Sequence, residues 1–560
     1  MNRNPKKTLP KTLTTCGEID MINYKTPEAL GFHNFKSWRP FQLEVIKRVL
    51  DSSKKFFMLD APTGSGKSLI GMAICKILSN QNTLTPTEQN AGKSLYLCTT
   101  KDLQNQLQTD FPYIPLIKGR ANYPCTYNEK LESLFPEFTA DDCPANMERK
   151  DKDGAKSKFR CKSSCPYLVA KKQALKSPIA ILNTAYFISE ANYVGQFSGR
   201  KFVVVDEADE LESQLLKFVD FKITRKAANY LGIGLPKYKT KFESWKQWAI
   251  DSYPVVCERI AYLEREFGDI MAKKDYEIRI YKRLKAMRNK LEIIVKYLDE
   301  NWISNTSETS WEFKPIWVKD FTRNYIFSHA EKFLFMSSTI LSPSNLAYAL
   351  GIENSEWEYV SIPSQFPKEN RKVYYMPVAD ITHKTEAEIA HILPVLTQII
   401  SNRSDKKGLI HTVSYKNAKF IMDNLRNDRL LFHDSSNRSQ VLELFKSSKA
   451  PLIIVSPSMD RGIDFKYDLC SFIIIVKIPY LDLSDKQIST RVYSSKYGQL
   501  WYAWSTACSI IQMSGRATRA EDDFSETFIL DKQFSKFYSQ YHKFFPQWWK
   551  ESLQYIDLEE

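Results

Sequence analysis

The chain has 560 residues, of which 43% are hydrophobic and 26% charged, and its formal net charge is +14. Such a length admits three or four domains, and the composition is that of a globular protein. No run approaches the roughly 18 uninterrupted apolar residues of a membrane span, and no apolar core follows the basic start MNRNPKK, so neither a transmembrane segment nor a secretion signal is expected. The positive excess favours polyanionic partners, nucleic acid above all. A reducing interior is then the default, and the ten cysteines do not read as a disulfide framework.

Residues 56–78, FFMLDAPTGSGKSLIGMAICKIL, pass from a short apolar run through a glycine-bearing turn into an amphipathic stretch. That is the strand–loop–helix context of a phosphate-binding loop. Thr63, Gly64, Ser65 and Gly66 close backbone N–H groups round phosphate oxygens, Lys67 reaches the β- and γ-phosphates, and Ser68 holds Mg2+. A second GKS triplet, 92–94, precedes its apolar run LYLC instead of following one. It cannot present its amides at the right helix N-terminus and is set aside.

Four cysteines, Cys125, Cys143, Cys161 and Cys165, fall within a lysine-rich, poorly hydrophobic segment. A segment with so little core needs a staple, and in a reducing compartment that staple is a metal centre. The spacing C-x17-C-x17-C-x3-C admits Zn2+ or an iron–sulfur cluster, since both take four thiolates. The lysines of ERKDKDGAKSKFRCK can neutralise phosphates, and Tyr123, Tyr127 and Tyr167 can offer stacking faces to unpaired bases. The alternative is that these tyrosines pack on the centre.

KFVVVDEADELE (201–212) reads as a buried strand ending in acids. Two adjacent carboxylates there are costly unless a cation or a hydrolytic role compensates. Asp206 suits Mg2+, and Glu207 suits polarising the attacking water. Residues 216–318 space their apolar residues by three and four, which predicts a helical insertion. Beyond residue 400, KGLIHTV, APLIIVS, CSFIIIVKIP and ETFILD repeat a strand–helix rhythm with no second phosphate loop. Two α/β lobes therefore share one nucleotide at their interface. In IIQMSGRATRAEDD, Gln512, Arg516 and Arg519 lie at i, i+4 and i+7, one face of a helix. Two guanidiniums aimed at one spot need an anion between them, and a γ-phosphate in transfer is such an anion. The aromatic tail FSKFYSQYHKFFPQWWK reads as packing against the second lobe.

Taken in order, these segments resemble the motifs of superfamily 2 helicases. RPFQLEVI, with Arg39 and Gln42, resembles the adenine-side motif, and LCTTKDLQNQL resembles motif Ia. FLFMSSTIL resembles the SAT element, GLIHTVSYKNAKFI motif IV, VSPSMDRGIDF (with Asp464) motif V, and QMSGRATR motif VI. The stretch GRANYPCTY…CKSSCPYLVAKKQAL…IAILNTAYF is similar to the cluster-bearing insertion of XPD/DinG-type helicases. The resemblance runs from Arg39 to Asp531. It implies an α/β fold of two RecA-like parallel-sheet motor domains, the first carrying an iron–sulfur insertion and a helical arch-like insertion. The implied map is motor domain 1 over 1–110, 173–215 and 319–365, cluster domain 111–172, arch 216–318, and motor domain 2 over 366–560.

The same resemblance implies ATP, Mg2+ and a [4Fe–4S] cluster on the four cysteines. It also implies 5′→3′ movement on single-stranded DNA and unwinding of forked duplex; RNA–DNA hybrids stay open as an alternative substrate. A monomer in the cytoplasm, associated with the nucleoid in a prokaryotic or viral setting, is the expectation. Two departures stand out: Arg461 occupies a place where the family usually has glutamate, and Ser525 one where a glycine often follows motif VI. Alternatives are a translocase that remodels nucleoprotein or hybrids without general unwinding, and a non-enzymatic cluster-containing clamp. A mixed-charge insertion that binds a partner protein is also open.

Overall fold

The computed structural model describes residues 24–80, 92–125, 139–143, 148–150, 156–158, 164–266, 275–381, 386–434, 436–457, 459, 469–515 and 523–557. Cys161, Asp464, Arg516, Arg519, Tyr127 and Arg461 lie outside them. In chain order the strands are β1 (Phe56–Asp60), β2 (Ser94–Cys98), β3 (Leu116–Ile117), the β4–β5 hairpin (Glu148–Lys150, Lys156–Lys158), β6 (Ile179–Asn183), β7 (Arg200–Asp206), β8 (Phe221–Thr224), β9 (Trp302–Thr306), β10 (Ser310–Pro315), β11 (Ala330–Ser337) and β12 (Trp357–Ser361). They continue with β13 (Val373–Ala379), β14 (Gly408–His411), β15 (Leu430–Phe432), β16 (Ile453–Ser456), β17 (Phe472–Ile475), β18 (Glu526–Asp531) and β19 (Leu553–Tyr555).

Strands β1, β2, β7 and β11 are runs of Phe, Val, Leu and Met because helices cover both faces of their sheet, which leaves no polar side. The first lobe is this parallel sheet, in the order β12-β1-β11-β7-β2-β6-β3. The second lobe repeats the plan in the order β15-β16-β14-β17-β18-β13-β19, with all its pairs parallel. The phosphate-loop strand β1 and the acidic strand β7 are separated by β11 alone, so their C-terminal ends open on one cleft.

The 216–318 segment holds more than helices. It contains long helices over Phe242–Glu266 and Asp275–Tyr297. Around them stands a three-stranded antiparallel sheet, β8-β10-β9. Trp245, Trp248, Trp311 and Phe313 pack between sheet and helices. This insertion touches the cysteine segment, where Lys282 Nζ lies 2.7 Å from Asp141 and 2.6 Å from Asp142. No helix among the described residues is long and apolar enough to cross a membrane.

The lobes share a core. Trp501, Trp504 and Cys508 of the second lobe pack in one hydrophobic cluster with Phe335, Val205 and Ile340 of the first. The aromatic tail packs as expected, with Phe534, Phe537, Phe545 and Trp549 buried against Ile473, Ile475 and Ile529.

Candidate nucleotide site between the lobes

The loop 61–66 leaves β1 and enters helix α1 (Lys67–Asn80). Gly64 and Gly66 adopt φ of 79° and 76°, which non-glycine side chains rarely accept. At Gly66 a Cβ would also run into the amide of Gln42. That amide holds the loop: Gln42 Nε2 donates to Ser65 O (3.0 Å) and Gly66 O (3.3 Å), while its Oε1 accepts from Arg39 N (2.9 Å). The Arg39 guanidinium donates to Gly64 O. Arg39 and Gln42 thus grip the loop backbone from the adenine-side motif. The Lys67 ammonium donates to Ala61 O at 2.9 Å, inside the loop it serves. Thr63 and Pro62 face Ser514 and Gly515 of the second lobe across a small pocket.

Asp206 ends β7 and is 3% exposed. Burial, and then the neighbouring Glu207 charge, push its carboxyl up to about 6. Its oxygens accept from Tyr96 Oη (2.6 Å) and Glu207 N (3.0 Å). Tyr96 thus fixes the Asp206 carboxyl, one of the two side chains expected at Mg2+. Nothing local in the chain marks Tyr96, which reads as ordinary strand filler.

Glu207 sits at φ 51°, ψ 53°, left-handed for a residue with a Cβ. Phe41, Leu341 and Val413 share positive φ, and each lies in one of the expected motifs. Strained backbone of this kind persists only where surrounding structure enforces it.

The SAT element lies beside these acids. Ser337 Oγ donates to Asp209 Oδ1 (2.7 Å) and reaches Glu207 Oε2 (3.4 Å), and Thr339 Oγ1 donates to Asp209 Oδ2 (3.2 Å). From the second lobe, Gln512 Nε2 donates to Asp209 Oδ2 (3.0 Å) and Thr339 Oγ1 (2.7 Å). The structure therefore brings Lys67, Ser68, Asp206, Glu207 and Gln512 to one interlobe cleft. The 92–94 triplet lies elsewhere: Ser94 opens β2 and Lys93 Nζ bonds Leu175 O.

A further buried acid joins the loop to the SAT exit. Asp60, the last residue of β1, accepts from Leu341 N (2.9 Å) and Tyr359 Oη (3.2 Å). Burial pushes its carboxyl up to about 7.

Cys125, Cys143 and Cys165 are buried. A bridge between Pro124 and Thr139 sets the first two segments side by side, and the Tyr123 and Tyr167 rings meet at 5.7 Å, drawing in the Cys165 end. These thiols suit a thiolate-held centre in kind. Among the described residues, however, no three ligating side chains gather at one point, and Cys161 lies outside them. Tyr167 departs from the stacking expectation. It is 3% exposed and packs under Arg120, with its hydroxyl on Tyr186 and Glu190. Among the motif Ia glutamines, Gln104 is buried and donates to Ile117 O (3.3 Å).

A DEAD/DEAH box helicase family model matches residues 39–228, and a helicase C-terminal domain model matches 396–552. Among curated proteins, the ATP-dependent DNA helicase YoaA of Haemophilus influenzae is 18% identical over 82% of this chain and 85% of its own length. The ATP-dependent DNA helicase CHL1 of Vanderwaltozyma polyspora is 25% identical over 171 residues, 25% of this chain and 20% of that protein. A solved XPD helicase structure superposes with TM-score 0.60 at 16% identity, covering 93% of this chain and 99% of the other. The Xpd4 structure of S. tokodaii does so with TM-score 0.53 at 15% identity, covering 92% and 100%. With a phosphate loop, an acidic strand end and a second-lobe glutamine meeting in one cleft, the chain joins a helicase domain to a helicase C-terminal domain and has the fold of the XPD helicases it resembles.

Proposed function

We propose that this chain is an ATP-driven motor that moves along single-stranded DNA, 5′→3′, and separates forked duplex ahead of it. The observation that carries this reading is the hydrogen-bonded bridge from Gln512 to Asp209 and Thr339. It makes the nucleotide cleft a joint between lobes, so events at a phosphate become movement of one lobe on the other.

In this account the amides of Thr63–Gly66 and the Lys67 ammonium hold the triphosphate. Ser68 and Asp206 hold Mg2+, and Tyr96 fixes the Asp206 carboxyl. Glu207 orients the attacking water, and Gln512, Arg516 and Arg519 close on the γ-phosphate from the second lobe. Arg39 and Gln42 shape the adenine side, and Asp464 of motif V completes the second lobe's share.

Cys125, Cys143, Cys161 and Cys165 hold a [4Fe–4S] cluster, which supplies the covalent staple a core-poor segment needs. Residues 111–172 form that cluster domain and 216–318 the arch-like domain, and their contact through Lys282 closes a ring round the strand. The motor works as a monomer, in the cytoplasm where the source is prokaryotic or viral.

The test is a forked duplex incubated with ATP. Wild-type protein releases the strand and Lys67→Ala does not. ATP turnover without release by the wild type would replace helicase with translocase, and no strand-stimulated turnover would leave only a clamp.

A further inference from the structure

The second lobe meets the first at another buried point, reached from a helix outside the motifs named above. In the second lobe, helix α2 (Lys486–Ser494) is followed directly by α3 (Lys496–Ser514). Arg491, 3% exposed on α2, reaches into the first lobe. Its Nη1 lies 2.6 Å from Glu212 Oε1, on the helix Leu211–Val219 that follows the acidic strand. Its Nε–H donates to Ile316 O. Its guanidinium sits 4.4 Å from the Trp317 ring and 4.5 Å from the Trp501 ring. Trp501, on α3, donates its Nε1–H to the other Glu212 oxygen at 3.2 Å. One turn before Arg491, Gln487 donates to Pro315 O at 2.6 Å. A single cation is thus fastened to the helix after Glu207, to the segment leaving the insertion's sheet, and to α3.

Arg491 Nη2 is buried without a hydrogen-bond partner among the described residues. Apolar side chains of the same volume would stabilise such a place as well or better. What a buried pair supplies instead is a fixed register. That register matters because of α3. Trp501, Trp504, Cys508 and Gln512 recur at three- or four-residue steps, so they share one face. Trp504 Nε1 donates to Ile340 O (2.8 Å) and Cys508 Sγ to Thr339 O (3.1 Å) before Gln512 reaches Asp209. Trp501 and Gln512 are about 16 Å apart along the helix axis. The α2–α3 corner has no slack, since a Cβ on Gly498 would run into the Arg491 carbonyl.

We propose that Arg491 is a positioning residue for nucleotide turnover. Paired with Glu212 in the notch between Trp317 and Trp501, it sets the register of α3 and so holds Gln512 against Asp209 and Thr339. This rests on the motor reading given above.

The test measures ATP turnover with saturating single-stranded DNA for wild type, Arg491→Met, Arg491→Lys, Glu212→Gln and the Arg491→Met/Glu212→Gln double variant, each checked by thermal melting. Arg491→Met keeps length and burial but removes charge and donors. Its kcat is expected to fall on the order of 10- to 100-fold while KM for ATP stays within about twofold. Arg491→Lys recovers part of the loss, because it restores charge without the planar fork. The double variant is no slower than the worse single variant. A folded Arg491→Met with wild-type kcat, or strictly multiplicative losses in the double variant, overturns the proposal. Should Arg491→Met not melt cooperatively, Arg491→Lys and Glu212→Gln decide: unchanged kcat in both overturns it. A wild type whose turnover ignores DNA refutes the motor reading and the anchor with it. A responsive wild type with unaffected variants refutes the anchor alone.

Discussion

Asp60 lies directly beneath the phosphate loop, and its protonation makes a quantitative prediction. Its surroundings are Leu341 N–H, the Tyr359 hydroxyl, Lys67 and Asp209, and burial outweighs the rest. The carboxyl rises from an ordinary 3.8 to about 7, roughly three units. At ~1.36 kcal/mol per unit this corresponds to an upper value of about 4 kcal/mol.

The sign follows from proton counting. Between these two values the folded chain keeps a proton on Asp60 that the unfolded chain has released. Stability therefore falls as pH rises from about 4 to about 7, and the full cost persists above that. Asp60→Asn preserves shape and leaves an oxygen to accept from both Leu341 and Tyr359, but it cannot ionise. Denaturant midpoints of the two proteins should coincide only below about pH 4, draw apart between about pH 4 and 7 and differ most by about pH 8, with the variant the more stable. A neutral Asp60 also spares the incoming phosphates a negative charge, so wild-type ATP binding above pH 7 should take up a proton and the variant's should not. Parallel pH profiles, or a variant less stable at pH 8, would refute this reasoning.

Three further outcomes are expected. Gln512→Ala removes two bonds at the joint, one to a carboxylate, worth about 1.5–3 kcal/mol; strand-stimulated kcat should drop about 10- to 100-fold with ATP binding retained, and an unchanged kcat would contradict the joint. Gly66→Ala places a Cβ against Gln42 at positive φ; nucleotide binding, read by titration with a fluorescent ATP analogue, should be lost while the protein stays folded, and normal affinity would show that the loop tolerates reshaping. Protein prepared without oxygen should be brown with about four iron atoms per chain, and Cys165→Ser should lose both; zinc in place of iron would reassign the centre.

The parts of the site that were legible in the sequence are those whose chemistry demands residues close together in the chain. Gly64 to Ser68 announce themselves because a loop that wraps phosphate needs glycine, lysine and hydroxyl at fixed offsets. Asp206 and Glu207 do so because acids ending a Val-rich run have few structural uses. What escaped was set by tertiary contact. Tyr96, Asp60 and Tyr359 sit in strands where an aromatic or one acid is unremarked, and their roles depend on strands far apart in sequence. Arg491 and Glu212 are 279 positions apart, with nothing local to link them. Strands β8, β9 and β10 were hidden because they are short, carry polar or charged residues, as in FKIT, WISNT and SWEFKP, and lie beside long helical periodicity. The reading of Tyr167 as a stacking face failed because an exposed-looking CPY turn folds its ring inward beneath Arg120.

The central claim is that one nucleotide, held between two lobes, is spent on moving a nucleic-acid strand. ATP hydrolysis measured with and without single-stranded DNA, for wild type and Lys67→Ala side by side, addresses it most directly. The account predicts turnover that rises severalfold on adding the strand and vanishes in the variant. Hydrolysis at the same rate with or without the strand, or surviving the loss of Lys67, would contradict it.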